Sequence, residues 1–328
     1  MGKLLAIARN TFTETIRQPV FGVLLWVAVG LLIMNPSVAA FSLESGSDIK
    51  IVKDVGLATL LLYGLLASVF SATSVITREI ESHTVLTVVS KPISRPVFLL
   101  GKYLGVCAAV LVGYYFLSLV FLLTLRHGVL ETVTQKYDQP VLVFGLIAVG
   151  LSVSAATFGN YVYGWHFPST LTGWVVPLGT LAVLGVCFIS PKWELQAFAK
   201  DFRDLQVIYA IAMSFCGVVV LTAFAVTLAT RLSQVLTLLV CAAVYVGGLL
   251  SDYYLGQAAQ AGGAWLYHVL YAIIPNFQFF WAGDALTQTE LGAVIQAAHV
   301  GQVAAYAALY ALAVLGVGVA LFEHREVG

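Results

Sequence analysis

Charge is scarce in this sequence. Lys, Arg, Asp and Glu make up 10% of its 328 residues, whereas a soluble domain carries about 25%. Hydrophobic residues make up 60%, so much of the surface must face something other than water. The formal net charge is zero, while a protein that binds nucleic acid shows a basic footprint. We therefore expect a membrane protein that has the lipid bilayer, and no nucleic acid, as its partner.

Reactive groups are also sparse. The four cysteines lie in apolar runs without a CxxC spacing, which predicts neither a zinc site nor a disulfide framework. The sequence has no GxxxxGK[ST] loop for nucleotide phosphates and no HExxH helix. We therefore expect no catalytic residue, no metal site and no cofactor site, so the chain is predicted not to be an enzyme. The cysteines are Cys107, Cys187, Cys216 and Cys241.

Long apolar runs dominate the chain, and a helix needs about 20 apolar residues to cross a membrane. Two of the runs leave alternatives open, because they form either two crossings or one re-entrant hairpin. Either alternative predicts a single all-α, polytopic membrane domain over residues 1–328, with six to eight spans. The runs are 20–41, 55–77, 97–125, 141–161, 171–190, 207–229, 234–250 and 298–322, of which 141–161 and 171–190 are the ambiguous pair.

The amino-terminal segment, residues 1–18, is predicted to be an amphipathic helix at the membrane surface. Apolar residues share one face and most charged residues lie elsewhere, a pattern that suits the headgroup region. The apolar face consists of Leu4, Leu5, Ala8, Phe12 and Ile16.

Two segments on the predicted outer side are more than simple loops. Residues 191–206 place three apolar side chains on one helical face, namely Phe198, Phe202 and Leu205. Residues 251–297 contain an aromatic and aliphatic run that is broken at Pro275-Asn276. Such a short, interrupted run predicts re-entrant or interfacial helices rather than a span.

The segment from Arg78 to Arg95 concentrates charge between two apolar runs. Its first half predicts a short surface helix, which Pro92 ends because proline lacks an amide proton and clashes with the preceding turn. Ser94 then offers a side-chain oxygen at the start of the next helix. The apolar side of the short helix consists of Ile80, Val85, Leu86 and Val89.

This order of features resembles the coupling-helix region of ABC type-2 (ABC-2) permeases, the membrane subunits of ABC exporters. The features are an acidic start, a short helix, Lys91-Pro-Ile-Ser-Arg95, and Leu100-Gly-Lys102 opening an apolar helix. The order of apolar runs matches over most of the chain, and it is also similar to the permeases of copper-enzyme maturation systems. Family members commonly have six spans, so the pair 141–161 and 171–190 departs from that pattern.

The resemblance implies a permease that exports a substrate with ATP hydrolysed by a separate ATPase subunit, which would hold the ATP and Mg²⁺. It also implies a homodimer or a heterodimer of permease subunits. An alternative function is a non-transporting membrane module that passes ATP-driven motion to a partner on the outer side. The residues implied to couple to the ATPase are Arg78, Glu79, Glu81, His83, Val85, Leu86, Lys91 and Arg95.

The distribution of Lys and Arg near the span ends predicts the orientation, because cytoplasmic loops carry more of them. With a cytoplasmic amino terminus, nine of these residues lie inside and seven outside. We therefore expect a multi-pass protein of the cell membrane with both termini in the cytoplasm. The nine are Lys3, Arg9, Arg17, Arg78, Lys91, Arg95, Lys102, Arg231 and Arg325.

Small residues indicate close helix packing. Gly101 and Gly105 form a GxxxG pattern at the start of the third run, which favours close approach of a second helix. A row of hydroxyls on the second run either faces a pathway or bonds back to its own helix. The row consists of Ser68, Ser71, Ser74 and Thr77.

The predicted orientation can be tested with single cysteines at Ser94 and Gln135 in a cysteine-free background. We expect a membrane-impermeant thiol reagent to label position 94 from the cytoplasmic face and position 135 from the opposite face. Labelling of both positions from the same face would contradict the predicted topology.

Overall fold

The computed structural model describes residues 2–40, 48–81, 94–129, 137–200, 205–261, 264–283, 286 and 294–323. Within these residues the fold is all-α, as predicted. The helices are α1 (Gly2–Arg17), α2 (Pro19–Ala39), α3 (Asp48–Glu81), α4 (Arg95–His127), α5 (Gln139–Tyr163), α6 (Phe167–Phe188), α7 (Leu205–Ala229), α8 (Gln234–Ser251), α9 (Gln257–Gln260), α10 (Trp265–Ile273) and α11 (Ala297–Glu323).

Eight helices in the described residues are long and apolar enough to cross a membrane. They coincide with the eight predicted runs, so the chain is a polytopic α-helical membrane protein. The seventh run is longer than the sequence predicted, because a π-helical segment at Asp252–Gly256 joins α8 to α9. The eight are α2 to α7, α8 with its continuation to Gln260, and α11.

Proline marks the amino ends of four of these helices. Pro19, Pro96, Pro140 and Pro168 lie in the first turns of α2, α4, α5 and α6, where the missing amide proton costs nothing. Ser94 precedes α4 in an extended conformation, as predicted, but its side chain makes no capping hydrogen bond. The predicted start of this helix is therefore correct, whereas the predicted side-chain cap is wrong.

The ambiguous pair of runs forms two complete helices, α5 of 25 residues and α6 of 22 residues. At about 1.5 Å per residue, each exceeds the roughly 30 Å thickness of a bilayer core. Gly164 ends α5 with φ +65°, and Asn160 donates a hydrogen bond from Nδ2 to the Trp165 carbonyl at 2.6 Å. Two helices of this length with a tight turn between them favour two crossings over a re-entrant hairpin.

α3 lies at the centre of the bundle, and its most apolar stretch is the most buried of the eight. It packs against α4 at Gly56 and against α7 at Gly64, where a Cβ atom would collide with Phe121 and Val218, respectively. Tyr63 of α3 lies edge-on to Phe21 of α2. The core is therefore built around α3, α4 and α7.

α1 is a helix, as predicted, and it packs against the start of α4. A Cβ atom on Gly101 would lie 2.7 Å from Cγ2 of Ile7, and one on Gly105 would lie 2.5 Å from the carbonyl oxygen of Ala8. The predicted close approach at this GxxxG pattern is thus confirmed, with α1 as the partner. The predicted apolar face of α1 is only partly buried in the bundle, because Leu5 remains 71% exposed.

Arg126 joins the ends of three helices at the other end of the bundle. Its Nε donates to Oδ2 of Asp138 at 3.1 Å, and both side chains are almost fully buried. The guanidinium also donates to the carbonyls of Val186 and Ile189 at the end of α6. Asp138 in turn accepts a hydrogen bond from the Val141 amide in the first turn of α5. This contact fixes α4, α5 and α6 relative to one another.

Residues 189–200 do not form the predicted amphipathic helix. They form turns closed by an isolated antiparallel bridge between Ile189 and Leu195. Ala199 has φ +54°, a left-handed conformation that interrupts a helix. Phe198 instead packs against Phe188 at the end of α6, with the ring planes tilted by 52° and the centroids 5.1 Å apart. Of the predicted apolar face, Leu205 begins α7 and Phe202 lies outside the described residues.

The aromatic segment between α8 and α11 is broken at Pro275-Asn276, as predicted. α10 precedes this break and a 3₁₀ turn, Phe277–Phe280, follows it. Asn276 accepts a hydrogen bond on Oδ1 from the Gln278 amide at 2.9 Å, which starts the 3₁₀ turn. The two short helical pieces therefore match the expected interrupted pair.

The contact between α1 and α4 predicts unequal effects of adding one methyl group. Gly105→Ala should destabilise the fold by about 1–3 kcal/mol through overpacking, because a backbone oxygen cannot move aside. Gly101→Ala should cost less, since the nearest backbone oxygen there, that of Leu4, would lie 3.4 Å from the added methyl group. Thermal unfolding in detergent measures both.

Gly150→Ala is the matched control, because nothing lies within 4 Å of a Cβ atom there. It should leave the unfolding midpoint unchanged or raise it slightly. Equal midpoints for Gly105→Ala and Gly150→Ala would show that α1 does not pack on α4 in this way.

Candidate functional site

The predicted coupling residues lie where α3 ends and α4 begins. Arg78, Glu79 and Glu81 form the last turn of α3, which continues through them without a break. Arg95 is the first residue of α4. His83, Val85, Leu86 and Lys91 lie outside the described residues, as do the side chains of Arg78, Glu79 and Glu81. The short helix within residues 82–93 and the roles of these side chains stay predictions.

Arg95 links the start of α4 to the end of α11. Its Nη1 donates to the carbonyl oxygen of Phe322 at 3.1 Å, and its guanidinium carbon lies 5.8 Å from the centre of the Phe322 ring. Phe98, one turn further along α4, stacks on the same ring with centroids 5.8 Å apart. Two residues of α4 thus hold one residue of α11 by hydrogen bonding, cation–π attraction and stacking.

Arg231 reaches the same helix end from the turn between α7 and α8. Its Nη2 donates to the carbonyl oxygen of Leu321. The last carbonyls of a helix have no partner within the helix, and cations are favoured at this end of the helix dipole. Arg95 and Arg231 therefore satisfy neighbouring carbonyls of α11 from two different parts of the chain. We call these five residues, Arg95, Phe98, Arg231, Leu321 and Phe322, the α11 end cluster.

Lys102 lies beside this cluster and is 1% exposed. Its Nζ is 5.5 Å from the centre of the Phe98 ring, within the range of a cation–π contact. A buried ammonium group is costly unless it is paired, and Lys102 has further interactions within the fold. Lys102 thus adds a buried cation to the cluster, one turn further along α4 than Phe98.

α3 is tied to α7 by a buried hydrogen bond. The hydroxyls of Ser68 and Thr222 lie 2.7 Å apart, and Ser68 has no exposed surface. Ser74 instead bonds back to the Ser71 carbonyl. Ser68 and Ser71, the first two members of the row of hydroxyls, are buried within the bundle. Their burial argues against a row that lines a pathway.

α7 is tied in turn to α11. A Cβ atom on Gly318 would lie 2.6 Å from Oγ1 of Thr227 and 3.0 Å from Cδ2 of Leu99. Thr227 donates from Oγ1 to the Val314 carbonyl at 3.3 Å. The two helices that flank residues 82–93, α3 and α4, are therefore in direct contact with α7 and α11.

Sequence reasoning found Arg95 but missed the rest of the cluster. In the sequence, Arg231 contributes only to the predicted orientation, and Phe98 and Phe322 occupy ordinary apolar positions of two spans. A cation just after a span is a weak signal for a helix-end contact, because it does not identify which carbonyl it binds. The partners are separated by 227 residues for Arg95 and 90 residues for Arg231.

The aromatic segment between α8 and α11 contains its own polar network. Tyr271 donates to Oδ1 of Asp252 at 2.8 Å and accepts from Nδ2 of Asn276 at 3.3 Å. The hydrogen bond to Asp252, together with burial, raises the pKa of Tyr271. The hydroxyl of Tyr306 in α11 accepts from the Asn276 amide at 3.1 Å. These bonds connect the break at Pro275-Asn276 to α11.

In the described residues, no group of three His, Cys, Asp or Glu side chains is placed to hold a metal ion. The described sites are contacts between helices and helix ends. The helices that make these contacts form a bundle, and the described residues include eight helices of membrane-crossing length. The architecture is that of a multi-pass membrane protein.

Comparison with known protein families narrows the class of membrane protein. Residues 5–159 match the family model described as ABC-2 family transporter protein. The match begins in α1 and ends in α5, so it includes α3, α4 and the predicted coupling segment. It supports a membrane permease of the ABC-2 type. No curated protein and no solved structure matches the chain.

The α11 end cluster predicts that Arg95 and Arg231 keep the last turn of α11 closed. Arg95→Met and Arg231→Met should each remove a charge-assisted hydrogen bond at a partly hydrated site, with a loss of about 1 kcal/mol. We expect faster amide hydrogen exchange in residues 319–323 of both variants, measured by mass spectrometry in detergent.

Lys192→Met provides the control, because Lys192 is exposed in the loop after α6. It should leave exchange in α11 unchanged. If the two arginine variants behave like this control, the contacts with Leu321 and Phe322 do not stabilise the helix end.

Proposed function

We propose that this chain is the permease subunit of an ABC exporter, powered by ATP hydrolysed on a separate ATPase subunit. The observation that carries the proposal is the family match over residues 5–159. Within that match, two of the most buried helices, α3 and α4, border the segment that resembles a coupling helix. A segment that moves the membrane-spanning helices must be joined to helices of the core. Residues 82–93 meet this condition, because they connect α3 to α4.

In this proposal the separate ATPase subunit binds the ATP. The sequence contains no GxxxxGK[ST] pattern, the loop whose backbone amides hold nucleotide phosphates. ATP and Mg²⁺ would then be bound by the ATPase, and the permease would contribute no catalytic group. A complete transporter would contain two permease subunits, either identical or similar, above two ATPase subunits.

The relay starts where the ATPase would contact residues 78–95. Motion of the ATPase would displace the end of α3 and the start of α4 together. The displacement passes from α3 to α7 through the Ser68–Thr222 contact, and from α4 to α11 through the Arg95–Phe322 contact. Packed helices move as rigid units between discrete arrangements, so these contacts suit a two-state gate.

The substrate is not identified by these contacts. The resemblance to permeases of copper-enzyme maturation systems stays a prediction, as does the orientation with both termini in the cytoplasm. Export and mechanical relay to an outer partner differ in one measurable respect. An exporter should hydrolyse ATP faster in liposomes when its substrate is present, and a relay should respond to its outer partner instead.

The coupling segment yields a test with two double variants. Val85→Ala with Leu86→Ala should weaken association with the ATPase that copurifies with the wild-type chain. Buried apolar contact contributes about 25 cal/mol per Å², so two truncations remove roughly 2 kcal/mol or more of docking energy. Glu79→Ala with Glu81→Ala should leave association nearly intact and uncouple hydrolysis from transport, in a salt-dependent way.

Leu142→Ala with Val143→Ala is the matched control for the apolar pair, because both side chains are exposed on the first turns of α5. Glu194→Ala, in the exposed loop after α6, controls for loss of a carboxylate. Both controls should retain the ATPase. If no ATPase copurifies with the wild-type chain, or if all variants behave like the controls, the proposed coupling role is wrong.

A further inference from the structure

A crevice of about 380 Å³ lies between α7, the 3₁₀ turn and the start of α11. Its volume is within the range of small-molecule sites in proteins. α11 begins at this crevice and ends at the α11 end cluster. The crevice is therefore at the end of the bundle opposite the start of α4, away from the predicted coupling segment.

The floor of the crevice is apolar. It consists of Met213 of α7, Ala282 and Ile295, each at most 8% exposed. Gln206 of α7 holds the Ile295 backbone twice, because its Oε1 accepts from the Ile295 amide at 2.5 Å and its Nε2 donates to the Ile295 carbonyl at 3.5 Å. A floor held in this way is preformed, and preorganisation lowers the cost of binding a ligand.

Two aromatic side chains stand above the floor. Phe279 is 44% exposed and Trp281 is half-buried, and both line the crevice. Phe279 lies edge-on to Tyr306 of α11 with the ring centroids 5.7 Å apart. The Trp281 amide donates to the Gln278 carbonyl at 3.1 Å. These rings favour a ligand with a ring of its own, because aromatic pairs attract each other beyond the area that they bury.

Three polar side chains complete this part of the lining, namely Gln278, Gln296 and His299. Nε2 of Gln278 donates to the Leu249 carbonyl at 3.1 Å, so its Oε1 remains as an acceptor. The exposed side chains of Gln296 and His299 make no hydrogen bond within the described residues. A glutamine amide offers both donors and an acceptor, which matches an amide group on a ligand.

The lining carries no carboxylate, ammonium or guanidinium group. None of the nine described residues that form it is Asp, Glu, Lys or Arg. Asp54 lies near Gly283, but it is not part of the lining and has an interaction of its own within the fold. A ligand with a full charge would lose hydration here without gaining a partner. The lining therefore favours a neutral ligand.

We propose that this crevice is a binding site for a neutral aromatic amide, the chemical class that includes an aromatic residue within a peptide. The ring lies against Phe279 and Trp281 above the apolar floor, and the amide group bonds to Gln278 and Gln296. The ligand contacts α7, the 3₁₀ turn and α11 at once. The site belongs to this chain alone, and it does not depend on the proposed ATPase or on transport.

The test uses the purified full-length chain in lipid nanodiscs and a matched series of small probes. Phenylpropanamide is neutral, phenylpropanoate is anionic and phenylpropylammonium is cationic, all with the same ring and chain. Saturation-transfer NMR measures binding, with protein-free nanodiscs as the background, and tryptophan fluorescence reports on the crevice. The neutral probe should bind in the millimolar range expected for its size. The charged probes should bind about tenfold more weakly or less.

Two substitutions in the lining locate the site. Trp281→Ala should weaken binding of phenylpropanamide about tenfold, whereas Trp281→Phe, which keeps a ring, should retain most of it. Gln296→Lys places an ammonium group in the lining and should reverse the preference, so that phenylpropanoate binds more tightly than the amide. Because the Gln296 side chain is exposed, this variant stays informative if Trp281→Ala misfolds.

Trp265→Ala and Gln302→Lys are the matched controls, because both side chains are exposed and neither lines the crevice. They should leave the affinities unchanged. Equal affinity for the neutral and charged probes would overturn the proposal, as would a preference that Gln296→Lys does not alter. Binding of cyclohexylpropanamide as tight as that of phenylpropanamide would show apolar partitioning only and would refute an aromatic site.

Discussion

Helix contact through glycine sets the packing of this bundle. Lipid chains are as apolar as leucine, so no hydrophobic force draws apolar helices together inside a membrane, and close contact must supply the attraction. Gly56 and Gly113 bring α3 and α4 together, and Gly64 brings α3 to α7. At this distance the hydroxyls of Ser68 and Thr222 form a direct hydrogen bond. The three central helices therefore act as one unit to which the remaining helices are attached.

That unit bears on the proposed coupling role of residues 82–93. A loop between two peripheral helices would bend them without moving the core, whereas this segment joins α3 and α4. α11 is attached to the unit through Gly318 and through the contact of Arg95 with Phe322. Its last turn depends on residues from α4 and from the turn after α7. The last span is thus held at the same end of the bundle at which the proposed ATPase would act.

The sequence was sufficient to predict the spans, because twenty apolar residues with proline at the first turn leave few alternatives. The GxxxG contact was also predictable, since close approach needs two glycines one turn apart. The loop at 189–200 was not, although its apolar spacing fits a helix. There the Ser190 amide bonds to the Glu194 carbonyl and the Gln196 amide to the Phe188 carbonyl. Such backbone pairs leave no mark in side-chain periodicity, and neither does the contact of Arg231 with a carbonyl 90 residues away.

The scarcity of charge gives the few charged residues a common role at helix ends. Arg95, Arg126 and Arg231 donate to carbonyls at the carboxyl ends of α6 and α11, where the helix dipole favours cations. The amino ends favour anions, and Asp138 provides one for α5. Four other spans begin without one, because their N-cap residues carry no carboxylate and make no side-chain capping hydrogen bond; these residues are Gln18, Ser94, His166 and Ser233. Proline in the first turn of α2, α4 and α6 leaves one amide fewer to satisfy at these ends. The few charges of the described residues therefore act mainly at carboxyl ends, where carbonyls rather than amides need a partner.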